Sequence, residues 1–179
     1  MGSGTRCWLA LYKVANETME TIISGSRRIT DIRIVEDAIR ASGFKITMVI
    51  EGGQRTYNNN RWPIGGVDFL AQLWALRNKI PWHREDAKWQ IHGAAAGPMR
   101  NRKMASLGKQ LIAIPDPESK GTIDMIDAAR EAGFSPERIY VHYDPDLFPE
   151  GPTGCLDDGN LLKRRAPQRI TSATKQHSE

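Results

Sequence analysis

The sequence predicts a protein of the α/β class with a mainly parallel sheet. Short apolar runs of strand length alternate with segments whose apolar residues recur at helical spacing, between Ile22 and His142. The connections between these segments are short and rich in glycine. Because parallel strands need a crossover between them, this alternation indicates helices on both faces of one sheet, a Rossmann-like three-layer sandwich.

Two strands and two helices are predicted in the first half of the chain. Residues 21–27 form a strand that breaks into a glycine turn, and residues 30–41 form a helix with a Thr-Asp start and a glycine stop. Residues 45–50 are the second strand. Residues 54–64 have no periodicity and predict a loop or lid, before a helix at 67–78.

The second half begins with a short strand or bridge at residues 80–83 and a linker at 86–92. Pro98 then suits the first turn of a helix, because proline has no N–H to leave unpaired there. Three further elements complete the prediction: a buried strand at 110–114, a helix at 123–132 and a last strand at 138–142.

The domain boundaries follow from these elements and from the charge. We expect residues 1–19 to be an N-terminal extension or tag, residues 20–148 to be the folded domain, and residues 149–179 to be a disordered basic tail. The formal net charge of +4 and the pI of about 9.2 invite a nucleic-acid interpretation. Much of the excess lies in the tail, so nucleic acid is not the favoured partner.

The compartment is predicted from what the sequence lacks. Its two cysteines, Cys7 and Cys155, lie outside the expected domain, and no Cys/His cluster has metal-site spacing. We therefore expect no disulfide framework, no metal and no cofactor. No apolar run approaches the length of about eighteen residues that spans a bilayer, so a cytoplasmic protein without membrane contact is expected. Self-association into a homo-oligomer is left open.

Loops suited to anions recur where the predicted strands end and helices begin. Glycine lets backbone N–H groups approach a ligand, and the start of a helix adds a favourable dipole. Known nucleotide and protease motifs, namely GxGxxG, the P-loop, HExxH and the nucleophile elbow, are absent. The ordinary dinucleotide dehydrogenase and kinase interpretations therefore lose most of their support.

Six short motifs follow one another along the chain: Ser24-Gly-Ser-Arg27, Glu51-Gly52-Gly53, Gly65-Gly66-Val-Asp68, Trp89, Gly93-x3-Gly97-Pro98-Met-Arg100-Asn101-x2-Met104 and Ser119-x-Gly121-Thr122. In this order they resemble the YspA-type branch of the SLOG superfamily, which also holds the lonely-guy phosphoribohydrolases and the DNA-processing protein DprA. The similarity spans roughly residues 20–143. It implies a Rossmann-like sheet whose glycine loops hold a nucleotide or nucleotide-derived ligand.

The sequence departs from the lonely-guy pattern at two places. Those enzymes carry a glutamate at the end of P-G-G-x-G-T-x-x-E, and Met125 stands at that position here. Asp124 is one residue earlier, and one residue turns a side chain by about 100° around a helix, so Asp124 cannot simply take over the role. The second departure is the insertion at 54–64, which is either a substrate-selective lid or a mobile loop.

The candidate site residues share glycine-rich or helix-start positions. The ligand-binding candidates are Ser24, Gly25, Ser26, Arg27, Gly52, Gly53, Gly66, Gly97, Arg100, Asn101, Ser119, Gly121 and Thr122. Asp68 and Asp124 are the catalytic candidates, because cleavage of an N-glycosidic bond needs a carboxylate that places water and stabilises an oxocarbenium ion.

Three hypotheses follow for the function, and the first two have a nucleotide-like small molecule as the partner. The protein binds such a ligand and hydrolyses its N-glycosidic bond, or it is a non-catalytic sensor or sequestering protein for a nucleotide signal. Met125 favours the second of these. A DprA-like DNA-binding protein is the weaker third alternative.

Overall fold

The computed structural model describes residues 18–144 and 146–147. The expected tail at 149–179, most of the expected N-terminal extension, and both cysteines lie outside these residues. Within them the predicted fold class is confirmed, because five parallel strands form one sheet with helices on both faces. None of the helices in the described part of the chain is long and apolar enough to cross a bilayer.

The main sheet is built from short strands: β1 (Glu20–Gly25), β2 (Met48–Glu51), β5 (Trp82–Arg84), β6 (Gln110–Ile114) and β7 (Ile139–Val141). They lie in the order β5-β2-β1-β6-β7, and each neighbouring pair is parallel. In chain order, β2 and then β5 are added on one side of β1, and β6 and then β7 are added on the other side. This reversal between β1 and β6 is a topological switch point, where open α/β sheets place their ligands.

Five α-helices accompany the strands: α1 (Ile32–Ser42), α2 (Val67–Arg77), α3 (Trp89–His92), α4 (Ala96–Leu107) and α5 (Lys120–Glu131). As predicted, α1 starts at a cap, where the Asp31 side chain accepts the N–H of Arg33, and ends at Gly43 with a φ of 66°. Successive residues of β1 point to opposite faces of the sheet. Ile23 therefore packs in the core under α1 and α2, and Ile22 packs in the core under α4 and α5.

The structure differs from the prediction at residues 54–64, where a two-stranded antiparallel hairpin replaces the expected loop. Its strands are β3 (Thr56–Tyr57) and β4 (Pro63–Gly65). The Asn58 side chain accepts the N–H groups of Asn60 and Trp62 and so holds the turn. Strands of two and three residues are too short to show an alternating pattern, which explains why the sequence predicted a loop.

The helices around the second glycine loop also start earlier than predicted. The expected linker at 86–92 contains α3, a 3-10 turn at Gly93–Ala95 follows it, and α4 begins at Ala96, before Pro98. Helix α5 begins at Lys120 rather than at residue 123. In both cases small or polar residues continue the first turn, and the apolar spacing used for prediction begins only after it.

Candidate functional site

A cleft of about 690 Å³ opens at the switch point, beside the carboxyl ends of β1 and β6. Its wall includes the first turns of α2, α4 and α5. The sequence-predicted residues that line it are Ser24, Gly25, Ser26, Arg27, Asp68, Gly97, Arg100, Asn101, Ser119, Gly121, Thr122 and Asp124. Motifs spread over a hundred residues of sequence therefore meet in one place.

The loop after β1 is held tightly against β6 and α2. The Ser26 N–H donates to the Ile114 carbonyl at 2.9 Å, and the Ser26 carbonyl accepts the Val67 N–H at 3.0 Å. A Cβ on Gly25 would lie 2.7 Å from Val67 Cγ2, so this close approach requires glycine. Ser24 lies at the same strand end, 8% exposed, on the cleft wall.

The loop between β6 and α5 is ordered by its own side chains and by Ser26. The Ser26 hydroxyl donates to Asp116 Oδ2. Asp116 Oδ1 accepts the Glu118 N–H at 2.7 Å, and the Asp116 N–H donates to Ser119 Oγ at 2.9 Å. Sequence reasoning missed Asp116, although an aspartate and a serine three residues apart before a helix are a turn signal.

The start of α5 suits an anion. No acidic residue lies in its first turn, and Ser119 makes no side-chain cap. A Cβ on Gly121 would meet nothing within 4 Å, so the backbone is open to the cleft. Arg27 and Lys120 line the cleft as well, and neither has an ion-pair partner within residues 18–144 and 146–147. Helix dipole and cations therefore act on the same space.

Arg100 is oriented by two acceptors. Its Nη1 donates to the Gly52 carbonyl, and its Nε donates to Asn101 Oδ1 at 2.9 Å. Its Nη2 has no hydrogen-bond acceptor among the described residues. Asn101, which is 2% exposed, donates in turn to Asp124 Oδ2 at 2.7 Å and to the Gly121 carbonyl at 3.1 Å. Asn101 thus links Arg100 on α4 to Asp124 and Gly121 on α5 through hydrogen bonds.

Asp68 is a buried carboxylate on the cleft wall, only 2% exposed. It does not cap α2. Its Oδ2 accepts the Gln54 N–H at 3.0 Å, and its Oδ1 has no hydrogen-bond partner among the described residues. Burial raises the pKa of Asp68 to about 6, although the nearby Arg100 opposes this rise. The site therefore holds a buried carboxylate whose pKa is raised and whose Oδ1 lacks a donor among the described residues.

Gly52, Gly53 and Gly66 were also predicted to bind the ligand, and they lie outside the cleft lining. Gly52 and Gly66 contact residues that form the cleft wall or the helix that carries Asp68. Gly52 lies against the Arg100 guanidinium: a Cβ added at Gly52 would be 2.6 Å from Arg100 Cζ. Gly53 has a φ of 78° and Gly66 a φ of 93°, a region that favours glycine. The Gly66 N–H donates to the Ile29 carbonyl at 2.7 Å, which fixes the start of α2.

Sequence reasoning also missed a buried ion pair beside the cleft. Glu51 is fully buried, and its Oε1 accepts Arg55 Nη2 at 2.9 Å. Glu51 also accepts the Gly53 N–H at 2.6 Å, and Arg55 donates to Gln72 Oε1 at 2.7 Å. The Arg55 guanidinium lies 5.4 Å from the centre of the Phe69 ring. This network anchors the hairpin next to Gln54, the residue that holds Asp68.

Several further residues line the cleft without having been predicted as ligand-binding residues. They are Arg28, Gln54, Trp89, Pro98, Asp116, Glu118 and Lys120. Trp89 and Pro98 belong to the family-like motifs, whereas Arg28, Gln54, Asp116 and Glu118 lie in loops with no repeated pattern and could not be singled out from sequence. Among the described residues, no group of three or more His, Cys, Asp and Glu side chains is placed to hold a metal ion.

Comparison with known proteins gives one informative similarity. No protein-family model and no curated protein sequence matches the chain. Among solved structures, it is similar to the X-ray structure of DNA processing protein A (DprA) from Streptococcus pneumoniae, with 16% sequence identity and a TM-score of 0.50. The match covers 69% of this chain and 50% of the DprA chain, so the chain spans about half the length of that protein. The chain therefore has a DprA-like Rossmann fold.

Proposed function

We propose that the cleft binds a nucleotide or a nucleotide-derived ligand. The observation that carries the proposal is the convergence of the open start of α5 with Arg27, Arg100 and Lys120 on one cleft at the switch point. Helix N-termini and guanidinium groups are the usual partners of a phosphate. The motifs that resemble the YspA-type branch of the SLOG superfamily line or support this cleft, which favours placing the chain in that branch.

The same cleft offers acceptors for the sugar of such a ligand. Among the described residues, the 30% exposed Asp124 carboxylate accepts one hydrogen bond, from Asn101, and lies 3.8 Å from Arg102. Asp68 adds a buried acceptor, Oδ1, that has no donor within that part of the chain. Ribose hydroxyls are donors, and a phosphate is an acceptor, so a nucleotide matches both halves of the wall. The volume of about 690 Å³ is also that of a small-molecule site.

A second candidate function, hydrolysis of the N-glycosidic bond, is favoured by Asp68. A water molecule that reaches the Asp68 carboxylate from the cleft would give its proton to the carboxylate while its oxygen bonds to the anomeric carbon. The bond to the base nitrogen breaks, and the base leaves with its electron pair and takes up a proton. A carboxylate with a pKa of about 6 is a stronger base than an ordinary aspartate and is still ionised at neutral pH. Asp124, which is more exposed and held by Asn101, is the less suitable base.

The experiment compares ligand binding and product formation in one set of samples. Purified protein is incubated with nucleoside monophosphates and with ADP-ribose; thermal stabilisation is measured, and released base is measured by chromatography. Binding raises the melting temperature by mass action on the native state. Stabilisation that is lost in Arg100→Ala and kept in Arg77→Ala, an exposed arginine at the end of α2 outside the cleft lining, is the result we expect.

The product assay separates the enzyme from the sensor. Base release that is lost in Asp68→Asn and kept in Asp127→Asn, an exposed aspartate, indicates the hydrolase. Stabilisation without base release indicates the sensor or sequestering protein. If no nucleotide stabilises the protein but single-stranded DNA binds with a steep salt dependence, nucleic acid is the partner and the nucleotide proposal is wrong.

A further inference from the structure

Trp89 is the one aromatic side chain among the described residues that line the cleft. The residue is half exposed, at 51%. No aromatic ring or cation of the described residues stacks on it. A large apolar ring therefore faces the cleft without a partner, although tryptophan is usually well buried.

The position of the Trp89 ring is fixed on one edge. Trp89 is the first residue of α3, and its N–H donates to the Ala87 carbonyl at 3.0 Å. The ring edge lies over Gly97 in the first turn of α4, where an added Cβ would be 3.2 Å from Trp89 Cη2. The absence of a side chain at Gly97 thus leaves room for the indole at the cleft wall.

Trp89 lies beside the polar part of the cleft. Gly97, which carries the indole edge, is three residues before Arg100 on α4, so the two positions are neighbours on one helix face, roughly 5–6 Å apart. Arg100 in turn borders Gly52 and Asp68. Along the wall the order is therefore an aromatic surface, a guanidinium and carboxylate, and the anion-suited start of α5.

We infer that Trp89 is the stacking platform for the base of the ligand, so that the cleft selects compounds with an intact aromatic base over the sugar phosphate alone. This inference rests on the proposed function and narrows its ligand class. Stacking is tolerant of base identity because every base has a π-face. Selectivity for a base-bearing nucleotide over ribose 5-phosphate is the property that Trp89 supplies.

The test measures the dissociation constants of AMP, GMP, CMP, UMP and ribose 5-phosphate by calorimetry. The wild-type protein is compared with Trp89→Ala and Trp89→Phe. Loss of one base–aromatic stack weakens binding by about tenfold or more. We expect that loss for the nucleotides in Trp89→Ala, little change in Trp89→Phe, and no change for ribose 5-phosphate in either variant.

Trp62→Ala is the matched control, because it also replaces an exposed tryptophan by alanine. Trp62 is 69% exposed and lies outside the cleft lining. Circular dichroism of each variant verifies that the fold is retained. Equal loss of nucleotide and ribose 5-phosphate binding in Trp89→Ala, or no loss of either, overturns the inference while leaving the proposed function standing. A wild-type protein that binds none of the five probes overturns both.

Discussion

The Ser26 hydroxyl donates a hydrogen bond to the Asp116 carboxylate, across 90 residues of sequence. Ser26 follows β1 and Asp116 follows β6, so this bond joins the two strand ends between which the cleft opens. Both residues are buried, at 3% and 5% exposure. The bond therefore fixes the distance between the two loops that border the anion-suited start of α5.

Ser26→Ala should destabilise the protein, because it leaves a buried carboxylate oxygen without its donor. The expected loss in the free energy of unfolding is about 1–3 kcal/mol, measured by urea denaturation. Ser106→Ala is the control, since its hydroxyl donates to the Lys103 carbonyl on an exposed part of α4. Equal effects of the two substitutions would show that the Ser26 bond does not contribute to stability.

The elements that sequence predicted well are those specified by local patterns. The start of α1 at Asp31 and its stop at Gly43 depend on neighbours within a few residues, and β6 is a continuous apolar run. The order of strands and helices then restricts the topology to a parallel sheet with a switch point. Fold class and the general place of the cleft were predictable for this reason.

What the sequence did not predict depends on contacts between distant residues. The partner of Ser26 is known only once β1 and β6 are paired. Glycine-rich turns predict ligand binding, yet a glycine is equally needed for packing, and the Arg100 guanidinium occupies the space beside Gly52. A glycine in the sequence indicates that a position has little room for a side chain. Only the three-dimensional structure shows whether a ligand or another part of the protein occupies the space beside it.

Arg55→Met should destabilise the protein strongly, because Glu51 then remains buried without a cation. Removing one partner of a buried ion pair costs about 3–5 kcal/mol. The variant Glu51→Gln/Arg55→Met should recover part of this loss, since neither member of the pair is then charged. Unfolding by guanidinium chloride measures both variants.

Arg40→Met provides the comparison for Arg55. Arg40 pairs with Asp37 at 2.7 Å on the surface of α1, with exposed side chains. Exposed pairs contribute about 0–1 kcal/mol, so a small effect is expected. The prediction for Arg55 fails if its substitution is no more costly than this one, or if the double variant is less stable than Arg55→Met.

Asp68 should make the stability depend on pH in a defined direction. Burial raises its pKa from 3.8 to about 6, so the folded protein binds more protons than the unfolded chain between these pH values. This contribution to the free energy of unfolding is fully present below about pH 4 and is lost as the pH rises through 6. At 1.36 kcal/mol per pKa unit, the change is about 3 kcal/mol.

The measurement is the difference in unfolding free energy between the wild-type protein and Asp68→Asn, from pH 4 to pH 7. The wild type should lose up to about 3 kcal/mol relative to the variant over this range. Asp127→Asn serves as the baseline for removing one exposed charge. A constant difference across the range would mean that Asp68 does not titrate there.

Gly52→Ala should remove the function of Arg100 without unfolding the protein. A Cβ at this position would lie 2.6 Å from Arg100 Cζ and 3.0 Å from Asp68 Oδ2. The guanidinium is the flexible end of a long side chain, so it moves away and leaves the Gly52 carbonyl. Loss of one charge-assisted contact to a phosphate weakens binding by about tenfold to a hundredfold.

The dissociation constant of AMP measures this effect in Gly52→Ala, Arg100→Ala and the double variant. If both substitutions act through the same guanidinium, each weakens binding to a similar extent and the double variant is no worse than Arg100→Ala, because coupled residues are not additive. Arg77→Ala should bind as the wild type does, since Arg77 pairs with Glu36 at 3.8 Å on the surface, outside the cleft lining. Losses that add in the double variant would mean that Gly52 acts on the ligand by itself, as the sequence pattern had indicated.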